Sequence, residues 1–106
     1  MIKVKIFKES TGRIVGFEVA GHSGTAEHGQ DIVCAGVSAL TQTALLGLGE
    51  HLHRQMDYSV ASGKLRMSLK EAADDLTEAI LQTMLLGLME IAKLSPEGVR
   101  ILEQRR

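Results

Sequence analysis

Arg13-Ile14-Val15-Gly16-Phe17-Glu18-Val19-Ala20 alternates apolar and small or polar residues, whereas Asp31-Ile32-Val33-Cys34-Ala35-Gly36-Val37-Ser38-Ala39-Leu40 repeats them every third or fourth position. The change of period between the two stretches marks a strand followed by a helix. Val15, Phe17 and Val19 form the apolar face of the strand; Val33, Val37, Leu40, Ala44 and Leu48 form that of the helix, which is expected to run from Ile32 to about His53. Between them Gly21 to Gln30 breaks both periods, with three glycines and two histidines in ten residues. A loop of that length in a compact domain is often functional.

On the N-terminal side, Ile2, Val4 and Ile6 alternate with Lys3 and Lys5, and Glu9-Ser10-Thr11-Gly12 is a turn cluster, so the first two strands read as a hairpin. On the other side, Met56, Tyr58 and Val60, then Leu65, Met67 and Leu69, mark two more strands joined by Ala61-Ser62-Gly63-Lys64. A second helix is expected from about Glu71 to Lys93, with Leu76, Ile80, Met84, Leu88 and Ile91 on one side. Pro96 ends it, and Gly98 to Glu103 suits a short closing strand. The order ββαββα(β) predicts an α+β two-layer sandwich with both helices on one face of a mixed or antiparallel sheet, as one domain over residues 1–106. Leu81, Leu85, Met89 and Ala92 widen the apolar surface of the second helix beyond what one sheet covers. Either the helix lies between the sheet and the first helix, or it forms the seam of a homodimer; the sequence leaves both open.

Aromatic residues make up only 3% of the chain, so aliphatic side chains and five methionines must fill the core. A formal net charge of −1 offers no overall field for non-specific nucleic-acid binding, and no direct nucleic-acid partner is expected. Cys34 is the single cysteine, which excludes an intrachain disulfide and suits a reducing, cytoplasmic setting. The first residues lack the continuous apolar run of a signal peptide. The longest such run, around Met84 to Met89, falls far short of the roughly 20 residues that cross a bilayer. A soluble protein without a membrane partner is expected.

Asp31 precedes the helical run and is a preferred N-cap residue. With Asp31 as cap, Cys34 falls in the first turn, where unpaired N–H groups and the positive end of the helix dipole collect. That setting favours the thiolate, which is the nucleophile, and the same N–H groups suit the oxyanion of a tetrahedral intermediate. His22 opens the loop after Gly21, and twelve positions separate it from Cys34, enough for the chain to fold back. A Cys/His pair is the minimal constellation for acyl transfer. Ser38 lies one turn beyond Cys34 on the same helix face. Asp31 has two readings, a cap or an orienting group for histidine, and a carboxylate beside a thiol opposes its ionisation.

Blander readings compete. A lone helical cysteine is more often a small buried hydrophobe. His28, His51 and His53 suit the surface, the last two near a helix C-terminus. His22, His28 and Cys34 carry nitrogen and sulfur ligands suitable for zinc, but their spacing matches no zinc signature and no fourth ligand is evident, so no metal is expected. Gly21-His22-Ser23-Gly24 lacks the lysine of a phosphate-binding P-loop.

Gly21-His22, followed by Gly29-Gln30-Asp31-Ile32-Val33-Cys34-Ala35, resembles the signature of the ribosomal-processing cysteine proteases, and the order of elements resembles that family over the whole chain. The resemblance implies a small bacterial α+β protein, generally homodimeric. It also implies an activity, removal of a short N-terminal extension from large-subunit ribosomal protein twenty-seven. The family's catalytic histidine and cysteine map onto His22 and Cys34, its motif aspartate onto Asp31, and a serine often present in relatives onto Ser38. Its mobile substrate loop maps onto Ser23 to Gln30, with Gly24 and Gly29 as hinges. Ser23 stands where alanine is the commoner residue. No cofactor is implied. The competing reading from another class is a non-catalytic homodimer that binds a ribosomal protein or an assembly intermediate; a redox or metal-sensing thiol protein is a third.

Overall fold

The computed structural model describes residues 1–21, 28–61 and 63–106, with the backbone path alone for residues 28–31. The elements are β1 (Ile2–Lys8), β2 (Ile14–Ala20), α1 (His28–Leu46), β3 (Met56–Ala61), β4 (Lys64–Leu69), α2 (Asp75–Leu94) and β5 (Val99–Arg105). One five-stranded sheet has the order β3-β4-β2-β1-β5. All neighbours are antiparallel except β1 and β5, which run parallel, so the sheet is mixed. The order ββαββαβ is the one that the periodicities imply, closing strand included.

The register makes one face of the sheet apolar. Ile6 of β1 lies opposite Phe17 of β2, which lies opposite Met67 of β4, and all three are fully buried. Val4, Val19 and Leu65 form the adjacent row, and β5 adds Val99 beside Ile2. Both helices contribute to the core on this face: Val37, Ala44 and Leu48 on the α1 side, and Leu81, Met84, Leu85 and Leu88 on α2. Lys3, Lys5, Glu18, Arg66 and Arg100 alternate onto the other face, as strand period two requires. There the Arg106 guanidinium lies 4.6 Å from the centre of the Phe7 ring and helps to cover it.

Four expectations are corrected. In β2 Ile14 is buried along with Phe17, and Val15 is only half-buried. The register shifts between Phe7 and Lys8, so that Lys8 faces Ile14 while Phe7 faces Gly16. Val15 is the extra residue of a bulge, which moves Ile14 onto the core side. The first helix starts at His28, before Asp31, and continues past Leu46 as a π-helical turn over Gly47–His51. The second helix starts at Asp75, not Glu71, because Asp74 caps it. The Asp74 carboxylate accepts from the N–H groups of Leu76 and Thr77 at 3.0 Å each, and Thr77 Oγ1 accepts from the Asp74 N–H at 2.9 Å. The buried stripe of α2 then runs through Thr77, Leu81, Met84, Leu85 and Leu88, and Leu76 stays exposed. Ile32–His51 is long and apolar enough by length and composition alone to cross a bilayer, a test that a core helix also passes, so the expectation of no membrane partner is not among those corrected. Its buried residues Val37, Thr41, Ala44 and Leu48 follow the spacing of a helix packed on a sheet.

Part of the apolar surplus of α2 is taken up inside the molecule, since Leu81, Leu85 and Leu88 are buried. Leu86 and Met89 are not. The helices cross closely at Gly87, where an added methyl would stand 2.9 Å from Leu40 Cδ1.

Phe17→Ala should cost about 3–5 kcal/mol, because it empties the centre of the buried row; urea unfolding checks this. The backbone N–H of Thr77 and then the Arg54 guanidinium hold the Asp74 carboxyl below its ordinary value of 3.8. A depressed folded-state value means that this stabilisation is present above the unfolded value and is lost as pH falls through the folded one. Asp74→Asn, which retains a capping oxygen, should therefore show a flatter loss of thermal midpoint in acid than the unsubstituted chain.

Candidate active site

Cys34 sits on α1, half-buried, with its neighbour Val37 packed into the core. Because α1 begins at His28, Cys34 lies in the second helical turn, and Asp31 lies inside the first turn instead of capping it. The physical reason is that a first turn tolerates glycine and aspartate: its N–H groups lack helical partners in any case, and a carboxylate there suits the dipole. Gly29 and Gln30, expected in the loop, are consequently helical. The backbone N–H of Cys34 is committed to the helix, so the N–H groups left without helical partners belong to the turn before it. A helical Cα–Cβ bond leans toward the N-terminus, which aims the thiol at that turn.

A cavity of about 220 Å³ opens beside the thiol. Cys34, Ser38, Thr41 and Gln42 form its helical wall. Ile2, Val19 and Leu65 form its floor, and Gly21, Val60, Ala61 and Gly63 its rim. Ser38 thus shares the cleft with Cys34, as their spacing on the helix predicts, and its Oγ accepts from Gln42 Nε2 at 3.0 Å. Thr41 is buried and donates to the Val37 carbonyl at 2.9 Å.

Gly21 is the last described residue before His22, and the structure fixes it tightly. Its N–H donates to the Gly63 carbonyl at 2.9 Å, tying the end of β2 to the β3–β4 turn. Its φ of 88° is one that residues with a side chain rarely adopt, and an added Cβ would collide with the Met1 carbonyl oxygen. Gly21 therefore delivers the chain to the rim of the cleft that holds Cys34 at the point where His22 follows. His22, Ser23 and Gly24 lie outside the described residues, as does the side chain of Asp31. His51 and His53 are exposed at the end of the first helical segment, as expected.

Several lining residues escape sequence reading. Thr41 and Gln42 continue the face of Cys34 and Ser38 on α1, a signal that helical spacing does carry. Ile2 comes from β1 and Val60 and Gly63 from the β3–β4 hairpin, and the two places meet only through sheet register, which no local pattern reveals.

Comparison with known proteins shows the family to which the chain belongs. Residues 1–100 match the family model described as cysteine protease Prp. The chain belongs to the Prp cysteine protease family. It is 32% identical over 104 residues to the ribosomal processing cysteine protease Prp of Staphylococcus aureus, covering 95% of this chain and 97% of the relative. It is 50% identical over 40 residues to that of Bacillus subtilis, covering 38% of this chain and 36% of the relative. Two crystal structures of the S. aureus Prp protease superpose on it, each covering 98% of this chain and 100% of that one. The complex with a substrate peptide gives a TM-score of 0.90 at 27% identity, and the complex with a covalently linked product peptide gives 0.88 at 28%. Family membership makes the chain a cysteine protease and sets aside the non-catalytic reading.

Gly21→Ala should lower the thermal midpoint and reduce peptide cleavage together, because the strained φ and the clash fall at the point that leads to His22. Gly12 is the control: it also has positive φ, but an added Cβ there meets nothing within 4 Å. Gly12→Ala should lower the midpoint and leave the cleavage rate of the folded fraction unchanged.

Proposed function

We propose that Cys34 is the nucleophile and His22 the general base and acid of a peptidase acting on a ribosomal protein. The substrate is the N-terminal extension of bacterial large-subunit ribosomal protein twenty-seven, removed in the cytoplasm by a homodimer of this chain. The observation that carries this reading is the shared cleft: Cys34 lines it from α1, and Gly21, next to His22 in the chain, lines it from the end of β2.

The chemistry follows from these groups. His22 takes the thiol proton, and Cys34 Sγ attacks the scissile carbonyl carbon. The carbonyl oxygen becomes an oxyanion, held by first-turn N–H groups of α1. The C–N bond breaks as His22 passes its proton to the leaving amine, which frees the downstream peptide and leaves a thioester on Cys34. Water, giving a proton to His22, attacks the thioester; the C–S bond breaks and the thiol is restored with release of the acid product. Asp31 acts as an orienting group for the histidine, and Ser38 as a polar neighbour of the thiol. Ser23, Gly24, Gly29 and Gln30, between base and nucleophile in sequence, contribute to substrate contact. The exposed apolar side chains of α2, Leu86 and Met89, suit a seam between two copies.

The test is a synthetic peptide spanning the extension and mature start of the host's ribosomal protein, incubated with the unsubstituted chain and with Cys34→Ala and read by mass spectrometry. One cut at the mature boundary, made only by the unsubstituted chain and abolished by thiol alkylation, is the expected result. Cys34→Ala should keep its circular dichroism spectrum. Cleavage by Cys34→Ala would remove the assignment of the nucleophile.

A further inference from the structure

Strand alternation sorts the charges of this chain onto one side. With the apolar rows turned to the helices, the register aligns Lys64, Ala20, Lys3 and Arg100 across β4, β2, β1 and β5 on the opposite face. The next row is Arg66, Glu18, Lys5 and Leu102, and Arg106 lies over Phe7 beyond it. The expectation of no nucleic-acid partner rests on the net charge of −1, a total that conceals this field. We infer that the outer face of the sheet is a docking surface for the phosphate backbone of double-helical RNA. The choice of RNA rests on the proposed action on a ribosomal protein, whose destination is an RNA particle; the field rests on the register alone.

Three observations carry it. First, the acids on this face are already answered. The register turns Glu18 and Asp57 onto it; Glu18 lies 3.0 Å from Lys64 Nζ, and Asp57 lies 3.5 Å from Lys70 Nζ. The bond to Lys64, with Lys5 and Arg66 nearby, holds the Glu18 carboxyl below the usual carboxylate range. Lys3, Lys5, Arg66, Arg100 and Arg106 form no direct ion pair among the described residues.

Secondly, the cations are spread to match a polymer and not a single anion. The first row crosses three strand spacings, about 14 Å. A duplex carries a negative charge for about every 1.7 Å of its axis, so a field of this width meets several phosphates at once. At one end, a shallow cavity of about 380 Å³ sets the Arg66 and Arg106 guanidinium groups beside the Ser59 and Ser68 hydroxyls, with Asp57 also on its wall. Such mixed cationic and hydroxyl linings are common at phosphate contacts.

Thirdly, what the face lacks selects the partner. Among the strand residues its one aromatic ring is Phe7, buried beneath Arg106, so the bases of a single strand find no platform for stacking. Leu102 is the one large apolar strand residue of this face open to solvent, whereas a protein partner needs an apolar and aromatic core. The helices lie on the other side of the sheet, so RNA leaves the cleft and the proposed seam between copies uncovered. Lys64 alone borders both the first row and the cleft, and it stays unsubstituted in the test.

The test follows the fluorescence anisotropy of a labelled RNA duplex of about 20 base pairs as the full chain is added at several salt concentrations, where log Kd should rise linearly with log salt. Lys3→Gln, Arg66→Gln and Arg100→Gln, exposed substitutions on three strands, should each weaken binding and lower that slope by about one. Combined, they should raise Kd by about tenfold or more. Lys93→Gln removes the same charge from exposed α2 and should change neither quantity. Circular dichroism checks the triple variant, and the single ones decide if it fails to fold. No binding at low salt, or an equal loss in Lys93→Gln, would overturn the inference. Binding of duplex DNA or of phosphatidylserine vesicles at least as tight as that of RNA, and lost in the same variants, would assign the face elsewhere and overturn it too. Cleavage of a short peptide, with kcat/KM expected to be equal for the triple variant and the unsubstituted chain, separates the two readings. RNA binding without any cut removes the protease assignment alone, and a cut without RNA binding removes the docking face alone.

Discussion

Ile6, Phe17 and Met67 meet side by side across three neighbouring strands, fully buried, and this row is the seat on which the two helices lie. With so few aromatic residues in the chain, Phe17 supplies the one large ring at the centre of the packed face. The bulge that displaces Val15 brings Ile14 onto the same side. Val37, Ala44 and Leu48 seat α1 on that face, and their rotation about the helix axis settles where Cys34 points. The site is therefore a consequence of core packing: the residues that turn inward on α1 decide which ones line the cleft.

The cleft draws on backbone as much as on side chains. Gly21 is held by its N–H bond to Gly63 and crowded by Met1, so the end of β2 has little freedom where it hands the chain on to His22. Rigid delivery from a strand and a thiol on a packed helix together meet the need of acyl transfer for a fixed approach. The position of Cys34 in the second turn, with its bond vector leaning back toward the first, separates the nucleophile from the N–H groups that could hold an oxyanion by about one turn of helix.

Periodicity made most of the fold legible. Every strand and both helices are encoded in local spacing, and the closing strand is announced by Pro96 and Gly98. The departures come where two signals compete locally. Asp31 resembles a cap, but the residues before it have few reasons to leave the helical path, so α1 begins earlier. Glu71 resembles a helix start, but Asp74 and Thr77 cap each other and set it later. Cys34 and Ser38 were legible as a pair through helical spacing. The meeting of Ile2 with the β3–β4 hairpin of Val60 and Gly63 was not, because strand register is a property of pairs of segments and leaves no trace in either one. The assignment of His22 came from a motif and a resemblance, not from pattern alone.

The parallel pairing of β1 with β5 has a temporal meaning. Ile2, on the cleft floor, gives its N–H to the Gly98 carbonyl at 2.8 Å and has Val99 as its neighbour in the sheet. Contacts between residues so far apart in sequence are the costliest to close and the slowest to form. During synthesis, a chain that has not yet reached β5 leaves Ile2 without its neighbour and the cleft without a firm floor. The order of the chain thus works as a clock: the cleft gains its floor only after the segment through β5 has been made.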